Sequence, residues 1–388
     1  MKLLQEIKNI QAFQEITKIG GQIFLVGGAV RDFYLDRESK DIDIIIRCIE
    51  STQLVAHLEK YGRVDLVGQT FGVIKFKPFD GWDDKEPIDI ALPRKDILED
   101  KSRGHHGIRA EFDHMLSIED DLNRRDLTIN AIAISWDGDI IDPHNGLQDI
   151  ERKIIRAVSS QSFLEDPLRQ LRAIQFAARF DFHFDTQTWN MICQGVQDLL
   201  TISGERVLEE LEKIYSKGNI RFGINLLASS GILRTLFNNL SFFEFKIITR
   251  GDFYYTICGS SQQYRTVLKG EVNVEKEIEV IEKCWEKLRG YRSKVESRIL
   301  IFDCIQKSYS ILKSECLPTY LKLIRDEFVN GVYPNSFKEF AIDGDDLLAL
   351  GYSGKQLGDK LKELLYDVLG DQVQNKREDL LARVQPLT

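Results

Sequence analysis

Residues 22–47, QIFLVGGAVRDFYLDRESKDIDIIIR, decide the fold. Residues 22–26 read as a short buried strand, because Ile23, Phe24, Leu25 and Val26 form an unbroken apolar run. Gly27 and Gly28 follow directly. Paired glycines let a chain turn sharply and let a ligand approach the main chain closely. Residues 29–35 read as one short helix with Arg31 and Asp32 near its start. Residues 40–46 read as a second strand, whose two-residue alternation puts Asp41 and Asp43 on one face. Two carboxylates that close are costly unless a cation lies between them. A divalent ion meets that need, and oxygen-only ligands favour magnesium. An Asp-x-Asp pair alone is commonly a solvated strand face, and a Gly-Gly pair alone is commonly a loop. Their order here, strand, paired glycines, helix, Asp-x-Asp strand, is what singles the stretch out. It is not the dinucleotide fingerprint, since no G-x-G-x-x-G occurs in the turn.

At 388 residues the chain exceeds one compact domain, and two to four modules are expected. No apolar run reaches membrane-spanning length, and the start, MKLLQEIKNIQAF, carries no secretory apolar segment. Cys48, Cys193, Cys258, Cys284, Cys304 and Cys316 are scattered without C-x-x-C pairs and read as free thiols. A soluble cytoplasmic protein with no membrane partner is expected. The net charge of −9 argues against nucleic-acid binding by the molecule as a whole, so basic residues would have to gather on one face.

Residues 2–18 carry apolar positions at helical spacing and predict one amphipathic helix. Residues 50–61 predict a helix, and residues 64–67, 73–76 and 87–92 predict strands. Asp89 in the last of these is either a solvent-facing strand residue or a third carboxylate beside Asp41 and Asp43. Residues 93–117 are polar and contain glycine without a clear period, which predicts a loop. Its His105, His106 and His114 lack metal-site spacing. The run EDDLNRRDLTINA, residues 119–131, follows. A charge cluster capping an apolar helix accounts for Asp126. It leaves unexplained the adjacent Arg124 and Arg125, whose planar donors suit phosphate, and an Asn130 set among apolar residues. Residues 136–139, WDGD, predict a hairpin turn, and Asp142-Pro143 ends the module.

From Gly146 onward helical patterns dominate. FLEDPLRQLRAIQFAARF, residues 163–180, predicts a helix with Pro167 in its first turn and Leu168, Leu171, Ile174 and Ala178 as its apolar stripe. Glu165, Asp166, Arg169 and Arg172 near its start fit a capped helix with internal ion pairs equally well on physical grounds. Phe242, Phe243 and Phe245 read as core. Lys287, Arg289, Arg292, Lys294 and Arg298 read as a solvated face, with a nucleic-acid phosphate contact as the alternative.

GGAVRD at 27–32 with DID at 41–43 resembles the first motif of the class II nucleotidyltransferases. That group holds the tRNA nucleotidyltransferases, which build the CCA end of tRNA, and the related bacterial poly(A) polymerases. RRDLTINA at 124–131 is similar to the second family motif. Glu165-Asp166-x-x-Arg169 is similar to the motif that reads the incoming base, and Ser203-Gly204-Glu205-Arg206 with Glu209, Glu210 and Lys213 to a helical motif that supports it. Residues 341–384 resemble the tail of bacterial members, with Gly351, Gly354 and Gly358, although Ser353 stands where proline is usual.

The resemblance implies an α+β fold: a nucleotidyltransferase palm, a mixed sheet with helices, followed by an all-α neck, body and tail. The implied limits are a catalytic head at 1–142, a nucleotide-reading neck at 143–217, a body at 218–335 and a tRNA-binding tail at 336–388. Asp41 and Asp43 are implied to be catalytic and to hold two magnesium ions, with Asp89 a candidate third ligand. Gly27, Gly28, Arg31, Arg124, Arg125, Asp126, Asn130, Glu165, Asp166, Arg169 and Arg172 are implied to bind nucleotide. An Asp accepts from an exocyclic amine and an Arg donates to a ring nitrogen or carbonyl, so the pair can read C or A and reject U and G. The implied reaction is template-independent transfer of CMP and AMP from CTP and ATP to the tRNA 3′ end. In the family, a flexible segment in the place of 93–117 helps the switch from C to A.

The rivals are a CC-adding or A-adding specialist, a poly(A) polymerase and a non-catalytic RNA-binding protein. Gly68-Gln69-Thr70-Phe71 lacks the basic G-[RK]-[RK]-F element of the polymerases, and the intact Asp41, Asp43, Arg124, Arg125, Asp166 and Arg169 argue against loss of catalysis. The last histidine is His183, which argues against an appended His-Asp phosphohydrolase domain.

Overall fold

The computed structural model describes residues 2–39, 41–67, 72–82, 85–98, 108–239, 250–288, 293–307 and 319–384. Gly68–Phe71 as a group, His105, His106, Phe242, Phe243, Phe245, Arg289, Arg292 and Cys316 lie outside the described residues. The chain divides into two compact units, Met1–Leu236 and Phe237–Thr388.

The first unit opens with two helices, α1 (Lys2–Lys8) and α2 (Gln11–Lys18), where one was expected. The chain steps out at Ile10, whose extended backbone (φ −75, ψ 117) turns its side chain into the core. Then come β1 (Gln22–Val26), α3 (Gly28–Tyr34), β2 (Asp43–Arg47) and α4 (Ser51–Leu58). The strands β3 (Gly62–Val67), β4 (Val73–Pro78) and β5 (Ile88–Ala91) follow. Residues 93–117 are not the plain loop their polarity predicts. Strands β6 (Arg94–Leu98) and β7 (Ile108–Phe112) pair antiparallel, from Arg94↔Phe112 to Leu98↔Ile108. Their charges hide a two-residue period that ribbon pairing does not need to bury on both faces.

Helix α5 (Ile118–Asn123) is capped by Ser117, whose hydroxyl accepts from the Asp120 amide. The expected apolar helix after the arginines is only a single 3₁₀ turn, Thr128–Asn130. Strands β8 (Ala133–Ser135) and β9 (Ile140–Ile141) close the predicted hairpin, and Gly138 takes φ +104 in its turn. The resulting sheet is mixed, in the order β3-β4-β5-β2-β1-β8-β9. Its centre is apolar because β1, β2 and β5 bury Ile23, Leu25, Ile44, Ile45, Ile88 and Ile90.

Helix α6 (Gly146–Arg152), β10 (Ile154–Ile155), α7 (Ser160–Glu165), α8 (Leu168–Phe180), β11 (His183–Phe184) and α9 (Thr186–Gly195) follow. The expected single helix over 163–180 is broken at Asp166. A residue before proline is pushed out of the helical region, and Asp166 before Pro167 sits at φ −138, ψ 100. Pro167 then starts α8 with its fixed φ. Helices α10 (Gly204–Lys217), α11 (Ile220–Ser229) and α12 (Ile232–Phe237) end the unit, with α10 and α11 packed on α8.

The described part of the second unit is helical: α13 (Arg250–Cys258), α14 (Ser261–Gln263), α15 (Val272–Leu288), α16 (Lys294–Lys307), α17 (Thr319–Val329), α18 (Gly344–Leu348), α19 (Gly354–Leu369) and α20 (Arg377–Leu381). One core gathers Phe302, Phe328, Phe340, Leu347, Leu365 and Leu369. Arg298 is neither a solvated face nor a phosphate contact. It is 3 % exposed, pairs with Glu327 at 2.8 Å and Asp371 at 2.6 Å, and donates to the Leu369 carbonyl at 2.9 Å. No helix among the described residues is long and apolar enough to cross a membrane.

Candidate active site

The site begins where β1 stops. Gly27 takes φ +65, a conformation that favours glycine, and its carbonyl accepts the Arg31 amide to start α3. A Cβ there would also lie 2.7 Å from Arg125 Nη1, so that guanidinium would have to move. Asp41 lies just before β2 and Asp43 opens it. Strand β5 runs parallel to β2 with Asp89 directly opposite Asp43, and β4 places Lys75 opposite Asp89. A row of Lys75, Asp89 and Asp43 thus crosses three neighbouring strands. Lys75 Nζ pairs with Asp89 at 2.7 Å. Burial pushes the Asp43 carboxyl above its ordinary value; Arg125 opposes this, while Asp89 and Asp41 push the same way. A carboxylate held in this way is relieved by a hard cation. Among the described residues no group of three or more His, Cys, Asp or Glu side chains is arranged to hold a metal ion. Asp41 and Asp43 alone would leave most of a hard cation's oxygen positions to water or substrate.

Behind the aspartates lies a buried polar network. Arg31 is 4 % exposed, donates to Asp32 at 2.8 Å and to Asn130 Oδ1 at 2.6 Å, and lies over the rings of Phe176 and Phe180, each 4.9 Å away. Asp126 accepts from the Leu127 amide at 2.8 Å, the Asn130 amide group at 3.0 Å and Arg172 at 2.9 Å. Burial works against its charge, but Arg172, Asn130 and Arg169 together hold its carboxyl far below the ordinary value. So Arg172 is not tied up within its own helix: it joins α8 to the head.

Asp166, left outside both helices by Pro167, accepts the Leu168 amide at 3.1 Å on one oxygen and Arg206 of α10 at 2.8 Å on the other. Arg169 lies 3.8 Å from Glu165, an ion pair that local spacing predicts. Glu210 is buried and pairs with Lys213 at 2.8 Å.

One cleft of about 1120 Å³ is lined by Gly27, Gly28, Arg31, Asp41, Asp43, Asp89, Arg124, Arg125, Asp126, Asn130, Asp166, Arg169 and Arg172. Of the residues implied to be catalytic or to bind nucleotide, Glu165 alone does not line it. Phe176, Arg179, Arg206, Glu210, Lys213 and Lys217 complete the helical wall. Sequence reasoning missed Asp121, Lys75 and Arg179. Asp121 had a readable signal, since an acid three and four residues before two arginines is an ion-pair spacing. Lys75 had none, because its partner is set by sheet register.

A palm sheet with paired glycines facing an Asp-x-Asp pair across an arginine-rich cleft defines a nucleotidyltransferase. Residues 23–156 match the family model described as the poly A polymerase head domain, and residues 181–243 match the one described as the probable RNA and SrmB-binding site of polymerase A. The chain belongs to the family of tRNA nucleotidyltransferases and poly(A) polymerases. It is 37% identical over 225 residues to the multifunctional CCA protein of Haemophilus influenzae (strain PittGG), covering 56% of this chain and 50% of that protein. It is 26% identical over 397 residues to the CCA-adding enzyme of Bacillus velezensis, covering 96% of each. The chain thus spans about half the length of the multifunctional CCA protein it matches. Among solved structures, the Thermotoga maritima CCA-adding enzyme complexed with tRNA-CCA superposes with a TM-score of 0.70 at 22% identity over 98% of this chain and 94% of that one. A CCA-adding enzyme in complex with ATP gives 0.68 at 23% identity, over 98% and 93%. At such identities these structures establish the shared fold.

Proposed function

We propose that the protein adds CMP and AMP from CTP and ATP to the 3′ end of tRNA, building CCA without a nucleic-acid template. The observation that carries this is the single cleft: Asp41 and Asp43 open on the same space as Asp166 and Arg169. A nucleotide held between them has its phosphates at the glycine turn and its base against α8. Arg124 and Arg125 take the triphosphate, and Asn130 with Asp126 faces the ribose. Asp166 accepts from the exocyclic amine that C and A share, and Arg169 donates to the rest of that edge. The protein thereby stands in for a template.

Asp41 and Asp43, with Asp89 beside them, would hold two magnesium ions, which when bound supply charge neutralisation at the α-phosphate and an activated 3′-hydroxyl. Gly27 and Gly28 leave room for the phosphates, and the β6–β7 ribbon is the element available to reshape the base pocket between C and A. The free thiols of Cys48, Cys193 and Cys258 suit a reducing cytoplasm.

The test is direct: give the purified protein CTP, ATP, magnesium and a tRNA ending at the discriminator base. Addition of C, C and A followed by arrest is expected. Arrest at CC, or addition of A only to tRNA already ending in CC, would assign a specialist instead. A long A tail on many RNAs would make it a poly(A) polymerase, and no incorporation at all would leave a binding protein.

A further inference from the structure

Asp121 is fully buried within the short helix α5, and it holds two adjacent arginines of the cleft wall at once. Its Oδ1 accepts from Arg124 Nε at 2.9 Å and Nη2 at 2.6 Å, a side-on grip that fixes the plane of that guanidinium. Its Oδ2 accepts from Arg125 Nη2 at 3.3 Å. The Asn130 carbonyl takes Arg125 Nη1 at 3.1 Å from the other side. Arg125 is thereby pinned at two corners, directly over the space that a Cβ at Gly27 would fill. Its Nε is buried and has no hydrogen-bond partner among the described residues.

Two guanidinium groups on neighbouring residues repel each other. One buried carboxylate between them cancels that repulsion and leaves a net positive charge of one facing the cleft. A buried carboxylate is costly unless it is paired, so its position is set by the arginines as firmly as theirs by it. We propose that Asp121 is a positioning residue for phosphate binding, fixing Arg124 and Arg125 so that their remaining donors face the glycine turn. This rests on the reading above that the two arginines take the triphosphate. Asp121 itself touches no substrate: it acts through the arginines. Base choice, carried by Arg169 on α8 and Asp166 just before it, lies outside its reach.

The test is Asp121→Asn in the full chain. The amide keeps the shape, removes the charge and turns one acceptor into a donor aimed at a guanidinium. Inorganic pyrophosphate binding, measured by calorimetry, should weaken at least tenfold. The KM for CTP should rise by a similar factor with kcat changed less, and the preference for CTP over UTP should stay as in the wild type. A folded Asp121→Asn protein with wild-type pyrophosphate affinity and CTP KM overturns the inference, even if its melting point falls. Should that variant fail to fold, Asp121→Glu keeps the charge and shifts it by one methylene. It should lose pyrophosphate affinity several-fold while folded, and unchanged affinity there also overturns the inference. If the wild type binds neither pyrophosphate nor CTP, the phosphate reading itself has failed, and this inference falls with it.

Discussion

Asp43 shows how one residue is kept in a costly state for use. Burial and the neighbouring acids raise its carboxyl, and Arg125 and Arg31 oppose them. Asp43→Asn removes the like-charge cost and the candidate metal ligand together. Turnover should fall by about a thousandfold or more, as expected when several kcal/mol of metal-assisted stabilisation is lost. The melting temperature should hold or rise, and near-normal turnover in magnesium would refute the assignment. Asp126 behaves oppositely. Its folded value lies below the unfolded one, so its contribution is complete above the ordinary Asp value of about 3.9 and is lost as pH falls towards the folded value. Asp126→Asn should cost about 1–3 kcal/mol at pH 7, because Arg172, which pairs with it, is partly exposed. Urea titrations should find that gap shrinking below about pH 4, and a gap independent of pH would count against the pair. The identities of both residues were legible in the chain. Their partners were not, because Arg172 stands forty-six positions from Asp126 and only the fold brings them together.

At the scale of elements, strand and turn chemistry were the most legible. The run of apolar residues into Gly27-Gly28 and the WDGD hairpin follow from apolar patterning and turn residues, whereas the parallel pairing of Asp89 with Asp43 is set by sheet register and leaves no mark in the chain. The ribbon of β6 and β7 escaped because its strands are charged, and the break at Asp166 because an apolar stripe masked the effect of Pro167. That break matters for function. It frees Asp166 from helical geometry and lets Arg206 reach it from α10, forty residues on. Arg206→Ala should therefore loosen Asp166, the acid proposed to read the base, without touching the phosphate end of the cleft. The expected result is a several-fold loss of CTP-over-UTP discrimination, smaller than that of Asp166→Ala, with pyrophosphate affinity unchanged. If Arg206 served only to pair a charge at a half-exposed surface, stability would drop by at most about 1 kcal/mol and nucleotide choice would not move.

At the scale of the molecule, every residue lining the candidate site falls between Val26 and Lys217, inside the first compact unit. The second unit has its own core and its own ion network, built on the buried Arg298 with Glu327, Asp371 and, through a short contact to Asp371, Tyr333. Units with separate cores can open as separate cooperative transitions. Arg298→Met is the change that discriminates. It removes the buried cation and leaves Glu327 and the mostly exposed Asp371 to solvent, so the loss is that of the charged hydrogen bonds, about 1–3 kcal/mol. Lys294 remains 2.8 Å from Glu327 and offsets part of that loss. Calorimetry should show one transition moved to lower temperature and another left in place. CTP and pyrophosphate affinities, which belong to the first unit, should match the wild type at temperatures below the lowered transition. A single transition that falls as a whole, with CTP affinity falling alongside it, would mean that the stability of the cleft depends on the second unit despite their separate cores.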